Sequence, residues 1–240
     1  MYLPKHFSSV DGQQTRKLIQ ENGFATILSF PQNQPVFINH LPVIFSSQPG
    51  EEDILIGHMA KMNPQWKHFQ ANPQSTIIIN GPHTYITPTW YKSNDVPTWN
   101  YAVAHLHGKM ELLEGFEDQV SILTQLTDFY EKPNANPWKF ELPDDLKNEK
   151  LLISAIISFK FHIEKIDAKF KMSQNRSDVD RQGVIMRRGA HRGVDIARQR
   201  FARHAAGASP TVPRGDARHR SIAGVGELAQ PVSAFSALIN

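Results

Sequence analysis

Between Ile157 and Lys165 apolar and polar side chains alternate one for one, with Ile157, Phe159, Phe161 and Ile163 set against Ser158, Lys160, His162 and Glu164. A period of two sends successive side chains to opposite faces of an extended backbone, so this segment is predicted as a strand. Similar runs span Phe24 to Phe30 and Val36 to Phe45, on either side of a PQNQP turn. Others cover Ile54 to Gly57, Ser75 to Asn80 with continuation through Tyr85, and Thr98 to Glu111. The period changes in three places. Asp11 to Asn22 reads as a helix with Asp11 as N-cap and Gly23 beyond its end. Pro64 to Ala71 reads as another, capped by Asn63, with proline at its first position, where a missing N–H costs nothing. From Gly115 to Tyr130, the residues Phe116, Val120, Leu123, Leu126 and Tyr130 recur at spacings of three and four and form a helical stripe. Many strands with few helices predict a mainly β fold with peripheral helices, of the α+β class. The expected arrangement is a closed or nearly closed barrel.

A chain of 240 residues holds one domain of about 200 residues plus an extension. The longest apolar runs, such as Leu151 to Phe159, are too short for a bilayer, so no membrane partner is expected. The opening MYLPKHFSSV lacks the pattern of a secretory signal. The absence of cysteine excludes disulfides, thiolate catalysis and thiolate-bound metals. These features together predict a cytoplasmic protein.

The formal charge of +3 averages two unlike sequences. Through Met186 there are 14 Lys and 3 Arg against 20 acidic residues; beyond it 9 Arg and no Lys stand against 3 acidic residues, and alanine becomes frequent. The chain therefore divides into a domain over 1–185 and an Arg- and Ala-rich basic tail over 186–240. Such a break is the mark of a changed reading frame or a fused segment. A basic arm that grips phosphates and a short helical extension ending at Gly207 are the alternatives.

Candidate chemistry concentrates in Gly81 to Tyr101, GPHTYITPTWYKSNDVPTWNY. Tyr85, Trp90, Tyr91, Trp99 and Tyr101 could stack on a planar ring while Thr87, Thr98 and Asn100 bond its polar edge; a core or a subunit interface would use the same residues. In GHMAKMNPQW, Gly57 ends a strand and His58 and Lys61 lie in a loop before the Asn63-Pro64 helix start, where a phosphate could sit; a capped helix after a turn is the reading these residues favour on their own. His105 and His107 share one strand face, but no third ligand stands at an obvious spacing, so no metal is expected. No nucleophile motif occurs, and no catalytic residue is assigned. In KMSQNRSDVDRQGV the residues Ser173, Gln174 and Asn175 could cap a short helix or meet a ligand edge, and Arg176 could pair with a phosphate or carboxylate.

In order along the chain, MYLPKHF, HLPVIF, GHMAKMNPQW, GPHTYITPTWY, VPTWNYAVAHLHG, NPWKF and KMSQNRSDVDRQGVI resemble the motifs of the FMN-binding negative transcriptional regulators of the PaiB type. The resemblance covers residues 1 to about 185. It implies a split β-barrel of the FMN-binding type, FMN as cofactor, and a homodimer with the flavin at the subunit boundary. Carried over residue by residue, it implies that His58, Lys61 and Asn63 serve the phosphate side. Tyr85, Thr87, Trp90, Trp99 and Asn100 would form the aromatic wall, with Ser173, Gln174 and Asn175 beside it. Lys61 stands where the family more often has Arg, Ala168 where it tends to have Gly, and Phe170 where it tends to have Trp. Beyond Ile185 the chain departs from the family's short helical end.

The function implied is a regulator that lowers transcription of degradative-enzyme or sporulation-type genes. DNA is a partner without a visible recognition element before residue 187, so repression can be indirect. The alternative is a flavin-dependent reductase or oxidase of the split-barrel class, in which the cofactor does the chemistry.

Overall fold

The computed structural model describes residues 1–8, 12–47, 52–93, 95–143, 145 and 152–186. The expectations for the tail beyond Met186, and for Asp11 as an N-cap, lie outside the described residues. Among the described residues there are six strands: β1 (Phe24–Ser29), β2 (Phe37–Ser46), β3 (Ile54–Ala60), β4 (Gln74–Ile86), β5 (Thr98–Leu113) and β6 (Ile156–Lys171). With them are helices α1 (Gly12–Glu21), α2 (Gln65–Ala71) and α3 (Phe116–Glu131). The strands close into a barrel in the order β1-β2-β3-β6-β5-β4, and antiparallel pairing of β1 with β4 shuts it.

The chain divides into two compact units. Among the described residues, the first contains Met1–Tyr85 and Thr98–Asn175, and the second contains Ile86–Pro97 with the residues from Arg176 onward. In the first unit, inward positions of the strands supply Ile27, Leu55, Ile77, Ile79, Leu106, Ile157, Phe159 and Phe161 to one core. Helix α1 adds Leu18 and Ile19 to this core, and α2 adds Phe69. Helix α3 lies outside the barrel, with Ile122 and Leu126 over Ile44, Ile56 and Leu113.

The buried face of α3 is turned from the predicted stripe. Gln119, Ile122, Leu123 and Leu126 are buried, whereas Phe116 and Tyr130 remain 42% and 43% exposed. Tyr130 sits at the margin because its hydroxyl donates to the Val43 carbonyl at 2.9 Å, a polar anchor that apolar periodicity cannot signal. Strand β3 also runs three residues past its expected end at Gly57, which moves His58 from a loop into a buried strand position.

The alternation in β6 does not continue unbroken. Gly108 pairs with Ile163 but His107 pairs with Lys165, so Glu164 is an extra residue in the ladder, a β-bulge. Before it the odd positions Ile157, Phe159 and Phe161 point inward; after it Ile166, Ala168 and Phe170 do. Gly108 permits this, because a Cβ there would fall on the His162 carbonyl.

Candidate functional site

Within the first unit the expected site residues form two separate groups. The first is at the far end of β5 and β6. Asn100 and Ser173 are almost fully buried, with 3% and 4% exposure. The Asn100 amide donates to Ser173 Oγ at 3.0 Å, and the same hydroxyl donates to Asn100 Oδ1 at 3.1 Å. Ser173 takes a left-handed φ of 64°, which ends the strand. Gln174 folds back on that end, accepting from the Met172 N–H at 2.6 Å and donating to the Phe170 carbonyl. Asn175 is exposed.

Beside this corner Trp99 and Tyr85 present their rings to solvent, 52% and 47% exposed. Their centroids lie 5.8 Å apart at 68°, an edge-to-face pair, and His83 extends the row 6.3 Å from Trp99. Lys171, which sequence reasoning missed, backs this wall by donating to the Trp99 carbonyl at 3.0 Å and to Thr98 Oγ1. Its neighbour Lys169 is buried, donates to the Tyr2 carbonyl at 3.1 Å and lies over the rings of Tyr2, Phe7 and Tyr101. The alternation resuming after the bulge was the available signal for these outward lysines.

The second group is at the other end of the sheet. His58 pairs across β3 and β6 with Ser158. The side chain of Lys61 is exposed; its N–H donates to the Ala155 carbonyl at 2.8 Å and its own carbonyl accepts from the Trp66 indole at 2.9 Å. Asn63 Oδ1 accepts from the Gln65 N–H at 3.0 Å, so Asn63 caps α2, and it also accepts from Asn39 at 3.0 Å. The Gln65 N–H is thereby satisfied by the protein, and the exposed Lys61 ammonium can meet an anion here.

Along β6, Ser158 and Lys171 mark these two ends, and along β5 their partners are Leu113 and Tyr101. At ~3.3 Å per residue the two rungs are on the order of 30–40 Å apart even with coiling of the strands. That exceeds the length of an extended FMN. Within one chain, His58, Lys61 and Asn63 do not meet Tyr85, Trp99, Asn100 and Ser173.

Thr87 and Trp90 belong to the second unit. Thr87 caps a short 3-10 turn, Pro88–Trp90, by accepting from the Thr89 N–H. Trp90 packs with Ile86, Tyr91 and Val184. Arg176 pairs with the carboxylate of Asp95 and lies 5.2 Å over the Tyr91 ring. The cap of the helix at 178–186 is Ser177, whose hydroxyl accepts from the Asp180 N–H at 3.2 Å and donates to Asp180 Oδ2 at 2.8 Å. Asp180 also accepts from Ser93 Oγ at 2.7 Å and from the N–H groups of Lys92 and Ser93 at 2.8 and 3.2 Å. These bonds, that from the Ser93 hydroxyl first, hold its carboxyl down at about 2.

His107 lies between Thr76 and Asp167, at 3.1 and 3.5 Å. Burial, foremost, holds His105 below the ordinary histidine range. Among the described residues, no three His, Asp or Glu side chains converge on a metal position, and no helix is long and apolar enough to cross a membrane.

The donor set suits a flavin: a cation for a phosphate, half-open aromatic faces for a fused ring, and an amide–hydroxyl pair for a polar edge. Residues 1–165 match the family model described as "Putative FMN-binding domain". The chain belongs to that family. FMN is its cofactor. A curated relative, the protease synthase and sporulation protein PAI 2 of Bacillus subtilis, is 36% identical over 187 residues, covering 77% of this chain and 87% of that one. An uncharacterised protein of Emericella nidulans is 26% identical over 224 residues, 77% of this chain and 89% of its own. Among solved structures, the FAD and heme binding protein of Mycobacterium smegmatis superposes with a TM-score of 0.52 at 13% identity, over 68% of this chain and 73% of that one. At that identity the likeness concerns the fold, the split barrel of flavin-binding proteins.

Proposed function

We propose that this flavoprotein is a cytoplasmic homodimeric regulator that holds FMN between two copies of the chain. His58, Lys61 and Asn63 of one copy serve the phosphate side. Tyr85, Trp99, Asn100, Ser173, Gln174 and Asn175 of the other meet the ring. The observation that carries this reading is the separation of the two groups along β6, since one flavin can use both only if they come from different copies. Lys61 and Trp99 are both exposed, so either can be altered without opening the core.

The test is complementation. Lys61→Glu and Trp99→Ala proteins should each bind FMN poorly. After mixing through denaturation and refolding, about one site in four should be restored, because half of the dimers carry one intact composite site. Absence of any restored flavin fluorescence quenching, with wild-type binding intact, sinks the two-copy site.

The regulatory part of the proposal draws on the name of the Bacillus subtilis relative and on the resemblance of the seven motifs. We assign flavin binding to residues 1–185 and leave the tail at 186–240 outside it. Repression is indirect in this reading, and a specific gel shift with the full chain at moderate salt would overturn that. The solvent-facing Tyr85 and Trp99 rings favour a second reading, because a ring held there stays open to a planar reductant. Bleaching of bound FMN by NADH or NADPH with multiple turnovers would establish a reductase; bleaching at neither rules for the regulator.

A further inference from the structure

We infer that the cleft between the start of α3 and the helical turn before β6 is a binding site for a free α-amino acid with a short apolar side chain. The cavity measures about 270 Å³, and Lys61, Glu114, Phe116, Gln119, Ile153 and Ile157 line it. That is just below the roughly 300–1,000 Å³ of drug-sized pockets, room for a compact metabolite and too little for a flavin.

Its floor is polar where the seam under α3 is otherwise apolar. Gln119 is 6% exposed. Its Nε2 donates to the Leu113 carbonyl at 3.5 Å, and its Oε1 has no hydrogen-bond partner among the described residues. Turning the amide over would set its oxygen against that carbonyl, so the unmatched atom is an acceptor. Ser158, opposite Leu113 in the ladder, also keeps a buried hydroxyl without a partner among the described residues. Around these groups Ile44, Ile56, Leu113, Ile122 and Leu126 pack together. A buried acceptor left unmatched is costly, so a ligand donor is the group this floor lacks.

The mouth selects the rest of the ligand. Lys61 and Glu114 are exposed and opposite in charge, and neither forms an ion pair among the described residues. A phosphate would suit Lys61 but would be repelled by Glu114 and by the Gln119 acceptor, so the cavity is no second seat for the flavin's anion. An ammonium and a carboxylate on one carbon answer all three groups, the carboxylate on Lys61 and the ammonium between Glu114 and Gln119 Oε1. Phe116, Ile153 and Ile157 then offer apolar surface to an aliphatic side chain. The inference stands on the cavity and not on the two-copy flavin reading. Lys61 is common to both, so where both hold, the amino acid and FMN weaken each other's binding by the same factor.

The probe is L-leucine, titrated calorimetrically into the full chain with and without saturating FMN. One saturable site per chain is expected. L-Leucinamide, which lacks the carboxylate, and 4-methylpentanoate, which lacks the ammonium, should each bind about tenfold or more weaker, the scale of one charge-assisted contact. Glu114→Gln, on the exposed rim, should lose leucine affinity by a similar factor and keep that for FMN. No saturable binding of leucine, or equal binding of leucine and leucinamide, overturns the inference. So does a Glu114→Gln protein that binds leucine as the wild type does. The expected leucine pattern in a protein that does not take up FMN would leave this site standing and remove the flavin reading alone.

Discussion

Asn100 and Ser173 exchange two hydrogen bonds, at 3.0 and 3.1 Å, where β5 and the end of β6 meet. Both are buried, so neither has water to fall back on. Replacing Asn100 by alanine strands the Ser173 hydroxyl and should lower stability by about 1–3 kcal/mol, read by urea denaturation. An unchanged midpoint would mean that the pair contributes nothing net to the fold.

Gly108→Ala should be more damaging than its exposed neighbour Lys109→Ala. The added methyl collides with the His162 carbonyl at the bulge, at a cost of about 1–3 kcal/mol by analogy with overpacked cores. Thermal unfolding of the two variants side by side checks this; equal melting temperatures would contradict it.

Asp180 gives the helix at 178–186 a pH dependence with a defined sign. Its folded-state pKa of about 2 lies below the ordinary 3.8, so its stabilising contribution is complete above pH 3.8 and is lost as pH falls toward 2. Trp90, packed against Val184, is a built-in reporter. Its fluorescence should change over that window, and Ser93→Ala should move the change to higher pH because the first of the supporting bonds is gone.

Trp99→Ala should weaken FMN binding by about tenfold, the scale of losing an aromatic contact together with its buried area. The measurement is a quenching titration. Full affinity in this variant would remove Trp99 from the wall.

Much of the barrel was legible in the chain. Alternation marked the strands, and the Asn63-Pro64 start of α2 showed its cap, because those signals are local. The left-handed Asn33, at φ 60°, accounts for the PQNQP turn in the same way. Other features depend on contacts remote in sequence. His58 read as a loop residue because Gly57 looked like a strand end, whereas pairing with β6 carries β3 on to Ala60. Gln119 is buried on α3 while the more apolar Phe116 is exposed, since the helix rests Ile122 and Leu126 on Ile44, Ile56 and Leu113 and Leu123 on Ile153 and Ile156, contacts remote in sequence. The candidate site was legible as residue types, but not its division between two ends of one sheet, which needs the register of β5 on β6.

The single extra residue at Glu164 sets the parity of everything downstream in β6. If Glu164 instead took a place in the ladder opposite His107, Lys165, Asp167, Lys169 and Lys171 would turn into the barrel interior and Ile166, Ala168 and Phe170 would turn out, whereas deleting Glu164 would leave the pairs Gly108↔Ile163 and His107↔Lys165 as neighbouring rungs of a regular ladder. The side-chain phase of the second half-strand therefore depends on where the ladder skips a residue, and sliding that skip out of the strand is costlier than losing the residue itself.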